Sequence, residues 1–397
     1  MKKKILLFLF PLIFSLYSCS DSPTSVGENL IPNDDKISFN EFDSYKDDIP
    51  QQSYSYVEKI KLGSSDRIIL GKTFYGESYI LLLFKPSLID TLLTRYKNKE
   101  LKIYDTWISM KPNYFLSDKS LPFNFTVHQI SNKWGIAGFD RDSLKNLQID
   151  DNDISTNKVI TDTLITFKLP ISVVDTWLKS SYDSTTSKNY GIILKPTSNT
   201  QRMIGFKAVY SSNEISTSVI LNYAIERTPT PVYKDTLNVS PYLDNHVVTG
   251  VAQKSFNHFY LQSSYAQRAI LSFDLTKLPT NIIVNKATLE LTSDPKISLD
   301  GIPSSDSIDV QILADSITKK LTSDSLYNIT LSKPANSNIY SGDLTWMVQK
   351  WLKGEKNQGL KLSLTDEYSA SSLIAFYNSK ETDKTLRPRL KIIYAKK

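Results

Sequence analysis

The chain has 397 residues, 40% of them hydrophobic, and a formal charge of +6 that falls to +3 without Lys2, Lys3 and Lys4. That is enough apolar sequence for two ordinary cores, and a near-balanced charge with no basic run argues against a nucleic-acid partner. One cysteine, Cys19, excludes a disulfide framework, and three scattered histidines exclude a His-based zinc site by spacing.

In chain order, the three lysines precede an apolar run from Ile5 to Phe14 that is too short to span a bilayer. Residues 1–18 thus read as a secretory signal peptide. Leu16-Tyr-Ser-Cys19 resembles a bacterial lipobox, which implies lipidation of Cys19 and a membrane anchor at the outer membrane or cell surface. Residues 19–35, rich in Ser, Asp, Asn and Pro, read as a flexible tether.

From residue 36 onward, short apolar runs alternate with Ser, Thr, Asn and Pro, the pattern of an all-β chain. Helical periodicity is confined to segments near 86–95, 140–147, 170–180 and 341–353. In the last, Leu344, Met347, Val348, Trp351 and Leu352 form one face, with Asp343 to cap the start and Gly354 to end it.

The chain repeats itself. Ile80-Leu-Leu-Leu-Phe84 matches Ala269-Ile-Leu-Ser-Phe273, and Trp177 falls on Trp351. Asn189-Tyr-Gly191 falls on Asn357-Gln-Gly359, and Leu221-Asn-Tyr223 on Ile392-Ile-Tyr394. The order is kept throughout, as in two divergent copies of one β-sandwich. The expected division is a first sandwich at 36–226, a Pro/Thr linker at 227–231 and a second sandwich at 232–397.

The second copy resembles the DNRLRE-type domain, a β-sandwich related to alginate-binding modules. The residues that carry the likeness are Phe273-Asp-Leu275, Leu278-Pro279, Ala287/Leu289/Leu291, Trp351/Gly354, Asn357/Gly359/Leu360, Ser379/Glu381 and Pro388/Leu390. The chain departs from the pattern at Val310–Ser316, where the family often has tryptophans. The resemblance implies an all-β fold of two tandem jelly-roll-like sandwiches with a few short helices. It also implies a non-catalytic, surface-anchored protein that binds polysaccharide without a cofactor. A structural or adhesive protein-binding lipoprotein, and a polysaccharide lyase or hydrolase, are the alternatives.

Trp351 and Trp177 lie on apolar helix faces and are expected in the cores. Trp346 lies opposite the apolar stripe, where an indole can stack on a sugar ring. Tyr368 sits in a loop at the sandwich rim. Arg268, Arg387 and Arg389 would pair with uronate carboxylates if the ligand is acidic. No nucleophile motif or phosphate loop is present, so no catalytic residue is assigned. The acidic run Asp150-Asp-Asn-Asp153 lacks the glycine and downstream Glu of a calcium loop.

Overall fold

A computed structural model of the chain describes residues 38–209, 217–227, 233–279, 281–305, 307–322 and 328–396. The expected signal peptide, Cys19, the expected tether and residues 228–231 of the expected linker lie outside the described residues. The fold is all-β, built of large curled antiparallel sheets. Three α-helices are described: α1 (Asp90–Lys97), α2 (Ile171–Lys179) and α3 (Thr345–Leu352). Among them, no helix is long and apolar enough to cross a membrane.

Two large apolar cores are present. The first collects Ile80, Leu82, Phe84, Ile108, Phe167, Trp177, Ile192 and Tyr223. The second collects Leu271, Phe273, Leu289, Val310, Trp351, Leu362, Phe376 and Ile392. Alternation along the strands is the cause: in Gly76–Phe84, Ile80, Leu82 and Phe84 turn into the first core while Leu81 faces outward. Helices α2 and α3 contribute Trp177 and Trp351 to these cores, 4% and 8% exposed, as their helical faces require.

The repeat is visible in hydrogen bonds. Asn189 Nδ2 donates to Phe84 O (2.6 Å) and its Oδ1 accepts from Gly191 N (2.8 Å). Asn357 Nδ2 donates to Phe273 O (2.9 Å) and its Oδ1 accepts from Gly359 N (3.1 Å). Both glycines have positive φ, +83° and +88°, and a Cβ on either would press on the carbonyl of Leu82 or Leu271. The Asn-x-Gly pair is therefore a latch that ties a returning strand to its neighbour in both copies.

The strand pairing departs from the expected boundaries at 36 and 227–231. Ser38–Asp43 pairs with Arg389–Lys396, from Ser38↔Lys396 to Asp43↔Lys391. Gln51–Val57 pairs along the whole of Gln267–Phe273. Conversely, Tyr233–Val239 pairs with Val219–Arg227, and Pro241–Gly250 with Gly76–Phe84. The first sandwich is thus the continuous stretch 67–250. The second is 38–57 joined to 258–396, with connectors 58–66 and 251–257 passing between them; within it, Gly301–Ile302 reaches across to pair with Pro112–Leu116 of the first. Burial gives the physical reason. Phe42 and Ile49 complete the second core, whereas Leu237 and Val239 pack on the first. The expected helical start at 341 also moves: Ile339–Asp343 is a strand, and α3 begins at Thr345.

The sandwiches meet through a third apolar cluster. Ile69, Tyr75, Tyr114, Leu116 and Met203 pack on Tyr260, Ala370, Leu373 and Ala375. Tyr75 Oη donates to Ser371 O, Ser371 N donates to Tyr114 Oη (3.1 Å), and Ser65 Oγ donates to Tyr368 O (2.6 Å).

Candidate functional site

The outward face of one sheet of the second sandwich brings together aromatic and charged side chains in two cross-strand rows. Register defines the first as Tyr56, Arg268, Ser363, Asp309 and Thr330. The second is Tyr54, Ile270, Lys361, Gln311 and Asn328. Five strands at the usual spacing make a strip about 19 Å long. The strand that carries both tyrosines is docked by Ser55, whose Oγ accepts from Tyr260 N (2.6 Å) and donates to Tyr260 O (3.0 Å).

Charges on the strip are arranged unevenly. Arg268, 8% exposed, is gripped by Glu367 through Nε (2.8 Å) and Nη2 (2.6 Å), and its Nη1 bonds Glu58. Burial opposes that charge, but the Glu367 carboxylate outweighs it and holds the guanidinium pKa above its ordinary value. Lys361 is equally buried yet has no hydrogen bond or ion pair among the described residues. Burial, with Arg268 nearby, pushes its pKa down. Burial raises that of Asp309. Lys319 lies over the Tyr56 ring at 4.9 Å, and Tyr54 remains 46% exposed.

The same face exists in the first sandwich, with different chemistry. There Asn245, Leu81, Ile193 and His128 occupy the row equivalent to Tyr54, Ile270, Lys361 and Gln311. Leu81, Ile193 and Val247 are covered by the excursion 130–149, which lays Ile130, Trp134 and Phe139 over them. Trp134 Nε1 pins that cover by donating to Tyr190 O (2.7 Å). One copy therefore seals this face with apolar side chains, and the other keeps it polar and aromatic.

The residues expected to bind ligand do not form one site. Arg268 lies on the strip, but its guanidinium is already paired. Tyr368 follows Glu367 in a loop docked on the first sandwich and is 45% exposed. Arg389 is held elsewhere, by Asp43 (3.1 and 2.6 Å) and Glu290 (3.4 Å), and stacks over Tyr45. Arg387 Nε donates to Glu381 O. Arg268 and Arg389 thus have their guanidinium forks paired with carboxylates of the protein, whereas Arg387 engages only its Nε. Trp346 is 40% exposed, as its helical angle requires, with Lys350 over its ring at 4.9 Å. Tyr54, Tyr56 and Lys361 were the residues not singled out from sequence. The two tyrosines carry a signal in the period-two spacing of Gln51-Gln-Ser-Tyr-Ser-Tyr-Val57, and Lys361 carries none there.

Ser255 and Asp294 lie on the two ring nitrogens of His258, each at 3.3 Å, and the Tyr377 ring packs against it at a tilt of 38°. Ser255 Oγ also accepts the Asn257 N–H (3.2 Å), so the hydroxyl caps a turn. Asp153 of the acidic run accepts from Val127 N (3.0 Å) and Ser155, and pairs with Lys158. Its pKa falls to about 2, because these bonds outweigh burial.

No family model and no curated protein matches this chain. Among solved structures, the infectious bursal disease virus VP2 subviral particle aligns over 87% of this chain and 76% of its own. At 8% identity and a TM-score of 0.12, that likeness carries no argument.

Proposed function

We propose that this protein is a non-catalytic, lipid-anchored surface protein whose second sandwich binds polysaccharide along the Tyr54–Lys361 strip. The observation that carries this reading is the contrast between the two copies. A sheet face covered by apolar side chains in one is polar and aromatic in the other, with two tyrosines beside Lys361, which makes no hydrogen bond or ion pair among the described residues. Aromatic faces suit the apolar faces of sugar rings, and flanking amides, hydroxyls and charges suit their hydroxyls. The DNRLRE-type resemblance of the same sandwich points to the same ligand class, and the lipobox-like Cys19 to a membrane anchor at the outer membrane or cell surface.

The test is a glycan array followed by isothermal titration with residues 36–397. Binding of at least one polysaccharide is expected. Tyr54→Ala should weaken it by about 0.5–1.5 kcal/mol if one ring stacks. Retention of no glycan, or binding indifferent to Tyr54→Ala and Tyr56→Ala together, would discard this face and favour a protein-binding or structural role. New reducing ends or unsaturated products would favour an enzyme.

A further inference from the structure

The latch end of each sandwich holds a second feature common to both copies. Beside Asn357, a cleft of about 350 Å³ is bordered by Asp274, Thr276 and Trp351. Beside Asn189, the equivalent cleft measures about 540 Å³ and is bordered by Lys85, Trp177, Ser184, Thr186 and Lys188. Loop length explains the difference. After α3 the chain needs only 353–356 to reach its latch, but after α2 it runs through 180–188. That longer loop, Ser180-Ser-Tyr-Asp-Ser-Thr-Thr-Ser-Lys188, adds a hydroxyl-rich wall where the second sandwich has none.

We infer that this enlarged cleft is a separate binding site of the first sandwich, for an oligosaccharide carrying uronic acid. The inference rests on the saccharide reading of the protein given above. Its chemistry is distinct from that of the strip. The one carboxylate at the wall, Asp183, is consumed inside the loop by Thr185 N (2.9 Å), Thr185 Oγ1 (2.6 Å) and Thr186 Oγ1 (3.3 Å). Lys188 is exposed, with no ion pair among the described residues, and Lys85 lies over the Tyr242 ring at 3.2 Å with no carboxylate paired to it among them. An indole at the base, hydroxyls on one wall and two such ammonium groups at the rim match an anionic sugar. The sandwich whose sheet face is sealed by apolar side chains thus has the larger end cleft, and the one with the polar, aromatic face has the smaller.

The experiment is isothermal titration of residues 36–397 with tetragalacturonate, and with cellotetraose as the neutral probe. Wild type should take up two tetragalacturonates per chain. Tyr54→Ala/Tyr56→Ala should leave one. In that background Lys188→Glu should weaken the remaining site about tenfold, and Ser184→Trp, which fills the cleft from an exposed position, should abolish it. High salt should weaken it as well, because the rim charges are solvent-facing. If Tyr54→Ala/Tyr56→Ala removes all tetragalacturonate binding, the cleft is not a site and the strip alone remains. Residual binding insensitive to both Ser184→Trp and Lys188→Glu also overturns the inference. No binding of any glycan by wild type would instead remove the saccharide reading itself.

Discussion

Removing residues 38–57 should unfold the second sandwich and spare the first. The segment supplies two strands, one paired from Ser38↔Lys396 to Asp43↔Lys391 and one along Gln267–Phe273. Phe42 and Ile49, each 6% exposed, leave the core, at about 1.5–3 kcal/mol apiece. Asp43, 1% exposed, leaves Arg389, which retains Glu290 and some solvent, so that loss is about 1–3 kcal/mol. The total, about 4–9 kcal/mol, compares with the stability of a whole domain. Fragment 251–397 should therefore give a broad, non-cooperative melt by circular dichroism and poorly dispersed amide resonances. Adding peptide 38–57 should restore dispersion and cooperativity, and fragment 67–250 should melt cooperatively by itself. A sharp β-type melt of 251–397 without the peptide would refute the exchanged pairing.

Two further outcomes follow from buried charge. Glu367→Ala should cost about 1–3 kcal/mol in urea unfolding because it leaves Arg268 only the half-exposed Glu58, whereas Arg268→Met/Glu367→Leu should recover most of that loss; equal costs would contradict the ion-pair account. Asp244, 2% exposed, accepts the Val209 N–H (2.7 Å), and burial outweighs that bond and raises its pKa to about 6. A carboxyl raised in the folded state adds stability that is complete below about pH 4 and is lost as pH rises through 6. Wild type should lose about 2–3 kcal/mol across that window from this group, and Asp244→Asn should flatten the profile and be more stable at pH 7. Urea midpoints between pH 4 and 7 measure it, and an unchanged slope in Asp244→Asn would assign the pH dependence elsewhere.

Much of the local structure was legible because it depends on near neighbours. The stripe through Leu344 and Trp351 gave α3. Asp343 bonds the start of the helix, its Oδ1 accepting from Thr345 N (2.7 Å), and Gly354 closes it at φ +106°. The Asn-x-Gly repeat was legible for the same reason, since its side chain bonds two residues on. Alternation in Tyr54-Ser-Tyr56 shows that one face of a strand is presented, but not which sheet receives it. That choice depends on Phe42 and Ile49 finding the second core, hundreds of residues away. The pairing of Arg268 was illegible for a similar reason. A period-two position places Arg268 on the outer face, yet nothing nearby in sequence shows that Glu367 arrives from a distant loop to neutralise it.

The two connectors, 58–66 and 251–257, also set how the molecule can deform. Two bodies joined by one segment of chain can swivel about it. Here two segments cross the same boundary side by side, with Ile60, Leu62, Val248 and Ala252 packed together around Tyr265. Such a pair, with Tyr75 and Tyr114 bonded to Ser371 across the same boundary, resists twist. It also changes what a single protease cut can do. Cleavage within 58–66 leaves the N-terminal piece zipped into its sheet, and cleavage within 251–257 leaves the halves joined through the other crossing. A nicked molecule should therefore elute at its intact size under native conditions and separate only when denatured.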